Sequence, residues 1–337
     1  MPVSSRMELA TPAPVKRGAI LLPFWFFFLG SSKSPEITEF SVLGVGADPV
    51  DIAAGPDGAL WFTEQHADRI GRISTRGFVT EFDLPNPGSF ARGVTAGPDG
   101  AVWFTELPGR IGRITASGTI SELTLPGGRG VTEPIEIAAG PDGSLWFTDF
   151  YDRIGRVTTV GALSYFALSG GSGPRGITAG SDGALWFTEM SSDRIGRITT
   201  AGVVTEFPIA PGSGPLSIAA SRDDALWFTA STGNRIGRIT TAGVITEIDV
   251  PTPNGSPSGI AVSADGSVWF TEPPVNRIGR ISPRDGIADW PLPSGRYPYG
   301  IAIGPDGAAW FSEFTGGRIG RAASTPRPAS RLVPARP

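Results

Sequence analysis

The chain has no cysteine and a single histidine in 337 residues. The first absence excludes disulfides, thiolate metal sites and cysteine nucleophiles. The second excludes a metal centre built on several histidines, and no serine triad or phosphate-binding glycine loop is present. Charge is sparse as well: charged residues make up 18% of the chain and the net charge is -4. No basic face is available for nucleic acid. Helical periodicity is missing from the body of the chain. The one long apolar run, residues 18–30, follows Arg6, Lys16 and Arg17. It has the length of a signal-peptide core and is short for a membrane span. Gly30-Ser31-Ser32 offers small residues for cleavage, though not in the Ala-x-Ala form. Residues 1–34 are therefore expected to be a signal peptide that directs export, secreted or periplasmic. The alternatives are an uncleaved anchor through residues 18–30 or a mis-set start codon. Residues 322–337, rich in Pro, Ala, Ser and Arg, are expected to be disordered.

Between these ends the chain repeats. Gly55-Pro56-Asp57-Gly58-Ala59-Leu60-Trp61-Phe62-Thr63-Glu64 comes back six more times, with tryptophans at Trp61, Trp103, Trp146, Trp186, Trp227, Trp269 and Trp310. The spacing is 40 to 43 residues, and Arg-Ile-Gly-Arg follows each tryptophan by seven or eight positions. A period near 40 marks a repeat architecture. The 47 glycines and 32 prolines fall largely at fixed repeat positions, so they mark turns. In the second repeat, Gly93-Val94-Thr95-Ala96 runs into Gly97-Pro98-Asp99-Gly100, where Asp-Gly supplies positive φ for a tight hairpin. Next come Ala101-Val102-Trp103-Phe104-Thr105-Glu106, Arg110-Ile111-Gly112-Arg113-Ile114-Thr115 and Thr119-Ile120-Ser121-Glu122-Leu123. These are four short strands joined by turns, the content of one propeller blade. The last repeat stops after Arg318-Ile319-Gly320-Arg321 and lacks its outer strand, while Glu36-Ile37-Thr38-Glu39-Phe40 precedes the first. The fold predicted is all-β: a seven-bladed β-propeller of four-stranded blades over residues 35–321. The N-terminal strand pairs in the last blade and closes the ring, which removes the exposed edges.

Most repeated residues have structural work to do. The tryptophans are expected to pack between blades, and the glycine of Arg-Ile-Gly-Arg to allow a close approach. The arginines are expected to bridge strands and blades, and the Asp of Gly-Pro-Asp-Gly to serve its turn. His66, in the loop Glu64-Gln65-His66-Ala67-Asp68, has no partner evident and is expected to be solvated.

Variable chemistry in a propeller gathers at one mouth of the central channel, where the inner strands begin. That position reads Val50, Arg92, Ile135, Arg175, Leu216, Ser258 and Tyr299 around the ring; two residues earlier it reads Asp48, Phe90, Glu133, Gly173, Gly214, Ser256 and Tyr297. Arg92, Arg175, Glu133 and Asp48 are the candidate ligand-binding residues. The residue closing Trp-Phe-Thr-Glu is Glu64, Glu106, Asp149, Glu189, Ala230, Glu272 and Glu313. Six carboxylates in seven blades could form an acidic ring that holds a divalent cation, or could simply bond the next loop. Glu313 and Glu272 are the candidate metal ligands.

The repeat, with Gly-x-Ile-Thr-Glu-Phe as its outer strand, resembles the virginiamycin B lyase (streptogramin B lyase) family over residues 36–321. The resemblance implies a seven-bladed propeller. It also implies a carbon-oxygen lyase that linearises cyclic depsipeptides by elimination at an ester bond, assisted by Mg²⁺. Such a step needs a base for the proton next to the carbonyl and a cation or acid for the developing charge. The family's Pro-His in the sixth repeat is met here by Pro257-Ser258, and its Glu-Pro-His in the seventh by Tyr297-Pro298-Tyr299. Glu313 matches the metal-associated carboxylate. The family's catalytic positions are thus Glu313, Tyr299, Tyr297 and Ser258, mostly substituted. The leading expectation is an exported, monomeric propeller that binds a small molecule, glycan or peptide at the channel mouth. The alternatives are a Mg²⁺-assisted lyase or lactonase-like enzyme acting on cyclic esters, and a protein–protein scaffold. No nucleic acid, and no membrane contact beyond an N-terminal anchor, is expected.

Overall fold

The computed structural model describes residues 34–44, 46–107, 109–127, 130–294 and 296–323. Its 28 strands, numbered in chain order, form seven sheets of four antiparallel strands. Each sheet starts with an inner strand, the first being β2 (Pro49–Ala54), paired to β3 (Leu60–Glu64), β4 (Arg69–Ile73) and β5 (Val79–Asp83) in turn. The other inner strands are β6 (Ala91–Ala96), β10 (Pro134–Ala139), β14 (Pro174–Ala179), β18 (Pro215–Ala220), β22 (Ile260–Val262) and β26 (Pro298–Ile303). Neighbouring inner strands touch around the axis, and β26 touches β2. The last sheet is completed by β1 (Glu36–Ser41), which pairs with β28 (Arg318–Ala323) from Glu36 opposite Ala323 to Ser41 opposite Arg318. Strand β28 runs two residues past the expected end of the repeats, so Ala322 and Ala323 are ordered in the sheet. The expected signal segment before residue 34 and the tail after residue 323 lie outside the described residues.

The core is divided into seven clusters, one for each interface between blades. Trp61, for example, lies with Leu84, Val94, Val102 and Phe104 between the first and second blades. In five blades the indole Nε1–H also donates to the turn aspartate, as Trp61 does to Asp57 at 3.1 Å. That carboxylate in turn accepts from the second arginine of the motif, Arg72 Nε at 2.6 Å. The aspartate therefore does more than turn the chain: it ties the hairpin, the indole and the third strand together. The first arginine reaches the outer strand, as Arg69 Nε does to Asp83 at 2.8 Å. These ion pairs join strands within one blade and not, as also expected, one blade to the next. The motif glycine is needed inside the sheet, because a Cβ on Gly71 would overlap the ring of Phe62 on the paired strand.

Blades are fastened to one another by the hydroxyl of Trp-Phe-Thr-Glu. Thr63 Oγ1 accepts the Asp51 N–H of its own inner strand at 3.1 Å and donates to the Arg92 carbonyl of the next blade at 2.6 Å. The same double contact recurs in every blade, and Ser312 closes the circle by donating to the Val50 carbonyl at 2.6 Å. Each bond satisfies a buried backbone group and contributes on the order of 1 kcal/mol. The acceptor is always the carbonyl of a variable channel residue, so the seven variable side chains are held at one level around the axis.

Candidate functional site: the axial cavity

The inner strands enclose a cavity of about 330 Å³ on the axis. Of the seven variable residues, Arg92, Ile135, Arg175, Leu216, Ser258 and Tyr299 line it, while Val50 is packed away. The following position adds Asp51, Glu136 and Ser217, which sequence reasoning missed. Six of the seven inner strands break register just here, as β2 does between Pro49 and Ile52. Strict alternation lapses at the irregularity, and two consecutive side chains such as Ile135 and Glu136 both reach the channel. The signal was present in the sequence: the second position is glycine in four repeats and a polar residue in three. Glycine is required where strands crowd. A Cβ on Gly93 would stand 2.8 Å from the Glu136 Cα, and one on Gly300 2.6 Å from the Val50 carbonyl oxygen.

Charges alternate around one half of the cavity, Asp51, Arg92, Glu136 and Arg175 coming from four successive blades. Ser217, Ser258 and Tyr299, each bearing a hydroxyl, line the other half. Burial pushes Asp51 up to about 6, against its hydrogen bond from the Val94 N–H at 2.9 Å and the nearby Arg92. Burial, then the Asp51 charge, holds Glu136 well above the usual carboxylate range, with Arg92 opposing. Burial, then Arg92, lowers Arg175. The Arg175 guanidinium lies 5.3 Å from the Phe150 ring centroid. The Nε atoms of both Arg92 and Arg175 are buried without an acceptor.

The mouth carries a second group. His66 is not simply solvated, because its Nδ1 lies 3.0 Å from Asp48 Oδ2. The imidazole also meets the edges of Phe90 at 5.9 Å and Phe314 at 6.2 Å, and Phe314 adjoins Tyr297 at 6.5 Å between centroids. The ring closure creates this grouping, since it sets the seventh blade beside the first. Asp48, Phe90, Ser256 and Tyr297 have φ between 32° and 56°, the left-handed region. Asparagines and aspartates just before Arg-Ile-Gly-Arg hold these corners: Asn276 Oδ1 accepts the Tyr297 N–H at 2.7 Å, and Asn234 Oδ1 the Ser256 N–H at 3.0 Å. Such strain persists only where the surroundings enforce it. Glu133 sits at the same level, its N–H donating to Asp149 Oδ1 at 3.1 Å, and is not part of the cavity wall.

The six carboxylates after Trp-Phe-Thr do not converge. They are fully buried one strand out from the axis, each beside its own blade's arginine, and none lines the cavity. Arg110 turns inward to Glu106 at 2.6 Å, whereas Arg69 and Arg277 turn outward to the fourth strand. Both oxygens of Glu64 and of Glu272 are consequently left without a partner. Burial, then Glu81 for the one and Asp289 for the other, pushes each to about 8. Glu313 accepts from Ser294 Oγ at 2.8 Å and is pushed up to about 7, chiefly by burial. Among the described residues no three His, Asp or Glu side chains could hold a metal ion together. Mg²⁺ requires near-octahedral oxygen ligands. Glu313 brings one carboxylate, already engaged, and Tyr297 stands at the position of the second; this donor set does not fit the ion.

The model of the virginiamycin B lyase family matches residues 31–168 and 130–334. The chain belongs to the virginiamycin B lyase family. A solved streptogramin B lyase superposes with a TM-score of 0.82 at 37% identity, covering 87% of this chain and 98% of that one. The virginiamycin B lyase from Staphylococcus aureus superposes with a TM-score of 0.80 at 41% identity, covering 86% and 99%. A catalytically inactive variant of that lyase with quinupristin gives the same TM-score, identity and coverage. No curated protein matches the chain in sequence. Of the four positions assigned by resemblance to the family's chemistry, Ser258 and Tyr299 line the cavity and Tyr297 stands on the rim. Glu313 lies behind them, buried.

Proposed function

We propose that this lyase-family propeller is exported and binds a small molecule, glycan or peptide at its axial mouth, without the histidine-driven elimination that the resemblance implies. The observation behind this reading is the cavity itself. Its volume of about 330 Å³ is in the range of ligand pockets, and its wall presents Arg92, Arg175, Ser258 and Tyr299. Two hydroxyls stand at the two positions where the family resemblance implies histidine, and a hydroxyl does not take up a proton near neutral pH as imidazole does. The test has two parts. Quinupristin incubated with the protein is expected to keep its chromatographic retention. A new species of unchanged mass would reveal ring-opening elimination and overturn the non-catalytic part. A ligand panel of peptides, oligosaccharides and organic acids is expected to raise the Tm of the native chain but not of Ser258→Trp, which fills the cavity; no shift with any ligand would overturn the binding part.

A divergent ester-cleaving enzyme is the second reading, and the Asp48–His66 pair favours it. A carboxylate on Nδ1 orients an imidazole for proton transfer through its other nitrogen. Turnover of a cyclic ester that is lost in His66→Gln would support this reading over the first.

A further inference from the structure

We infer that the axial cavity is built for a small organic anion, its carboxylate or phosphate seated between Arg92 and Arg175; this rests on the proposed binding role and names the ligand class. Guanidinium groups are the side chains best matched to planar or tetrahedral oxyanions, because their N–H donors form a fixed fork. Here two of them from the second and fourth blades line one cavity, and the Nε of each is buried with no acceptor. Among the described residues neither is in ion-pair contact with a carboxylate. Buried donors are ordinarily satisfied, so two guanidinium groups lining one cavity without a side-chain partner call for an acceptor from outside.

The neighbours sharpen the assignment. Arg92 stands between Asp51 and Glu136 of the flanking blades, and their charges partly offset its own. Arg175 is packed on Phe150, and Arg92 exerts the largest charge effect on it. Arg175 is therefore the principal anchor and Arg92 the second. The groups that face the pair from the surrounding strands are Asp51, Glu136 and Tyr299, with Ser217 and Ser258 as neutral donors. The two acids compete with a bound anion only while ionised. Burial holds Glu136 well above the usual carboxylate range, and Asp51, raised to about 6, takes up its proton as the pH falls. The hydroxyl half of the wall suits the remaining polar groups of a hydroxy acid or a sugar acid or phosphate.

The experiment is calorimetric titration of the native chain with malate, inorganic phosphate, sulfate and, as the uncharged control, glucose. Saturable binding of malate or phosphate is expected, at least tenfold weaker in Arg175→Met and in Arg92→Met, with unchanged Tm and with no effect of the exposed Arg284→Met. Malate ahead of phosphate assigns a carboxylate, and the reverse assigns a phosphate. Sulfate stays ionised throughout, and its affinity is expected to rise from pH 8 to pH 5 in the native chain but to depend less on pH in Asp51→Asn. Equal anion binding by the arginine variants, or no anion binding at all, overturns the inference. If uncharged ligands then still shift the Tm in a manner blocked by Ser258→Trp, the binding role survives without it; if nothing does, both fall.

Discussion

The hydroxyl of Thr188 accepts the Gly176 N–H at 2.9 Å and donates to the Leu216 carbonyl, also at 2.9 Å, so one oxygen joins two blades. Thr188→Val keeps the shape and strands both backbone groups, and is expected to cost about 2–4 kcal/mol, read as a lower denaturant midpoint at unchanged slope. The same substitution at Thr105, two blades away, should add to it almost fully. The unpartnered glutamates make a different prediction at this scale. Glu64 and Glu272 are pushed to about 8, so the folded chain keeps protons that the unfolded chain releases near pH 4.5. Stability contributed by such groups falls as pH rises from the unfolded value to the folded one. The Tm is expected to drop between about pH 5 and 8, with a slope on the order of 1 kcal/mol per pH unit for each group. Glu64→Gln and Glu272→Gln should each flatten that slope and raise the Tm at pH 8; an unchanged pH profile would contradict the assignment.

At the scale of the strand, Gly196 is fixed by the ring of Phe187 lying across it on the paired strand. Gly196→Ala is expected to destabilise by about 1–3 kcal/mol through overpacking, and a Phe187→Leu background should relieve much of that loss. Both residues were legible as a repeat, and the blade count, the four-strand unit and the returning N-terminal strand followed from spacing and turn chemistry alone. The channel wall was only half legible. Arg92, Arg175, Ser258 and Tyr299 stood out because they vary at a fixed position, but Asp51 and Glu136 occupy the next position, which a regular strand would turn away from the channel and the strand irregularity does not. The acidic ring failed for a related reason. A period places Glu64, Glu272 and Glu313 at equivalent points, yet does not say that the points lie one strand away from the axis. His66 and Asp48, eighteen residues apart, could be paired only by the fold.

The whole molecule depends on a single non-local pairing. Seven interface clusters leave no blade without two neighbours, and β1 supplies the last edge with its partner. Removing residues 36–41 is expected to expose β28 and loosen the first and seventh blades ahead of the rest. Hydrogen exchange would then show fast amides in β26 and β28 while β14 stays protected; uniform exchange across the ring would count against this. The register of the closing pair has a further consequence. Glu36 lies opposite Ala323 and Ser41 opposite Arg318, so the two outward ends of the chain leave the sheet side by side. Tension between them does not load the rungs of that ladder together but parts them in succession, beginning at Glu36. A pulled molecule should therefore yield first in one low-force step of six residues, and the ring would come undone like a zip from its seam.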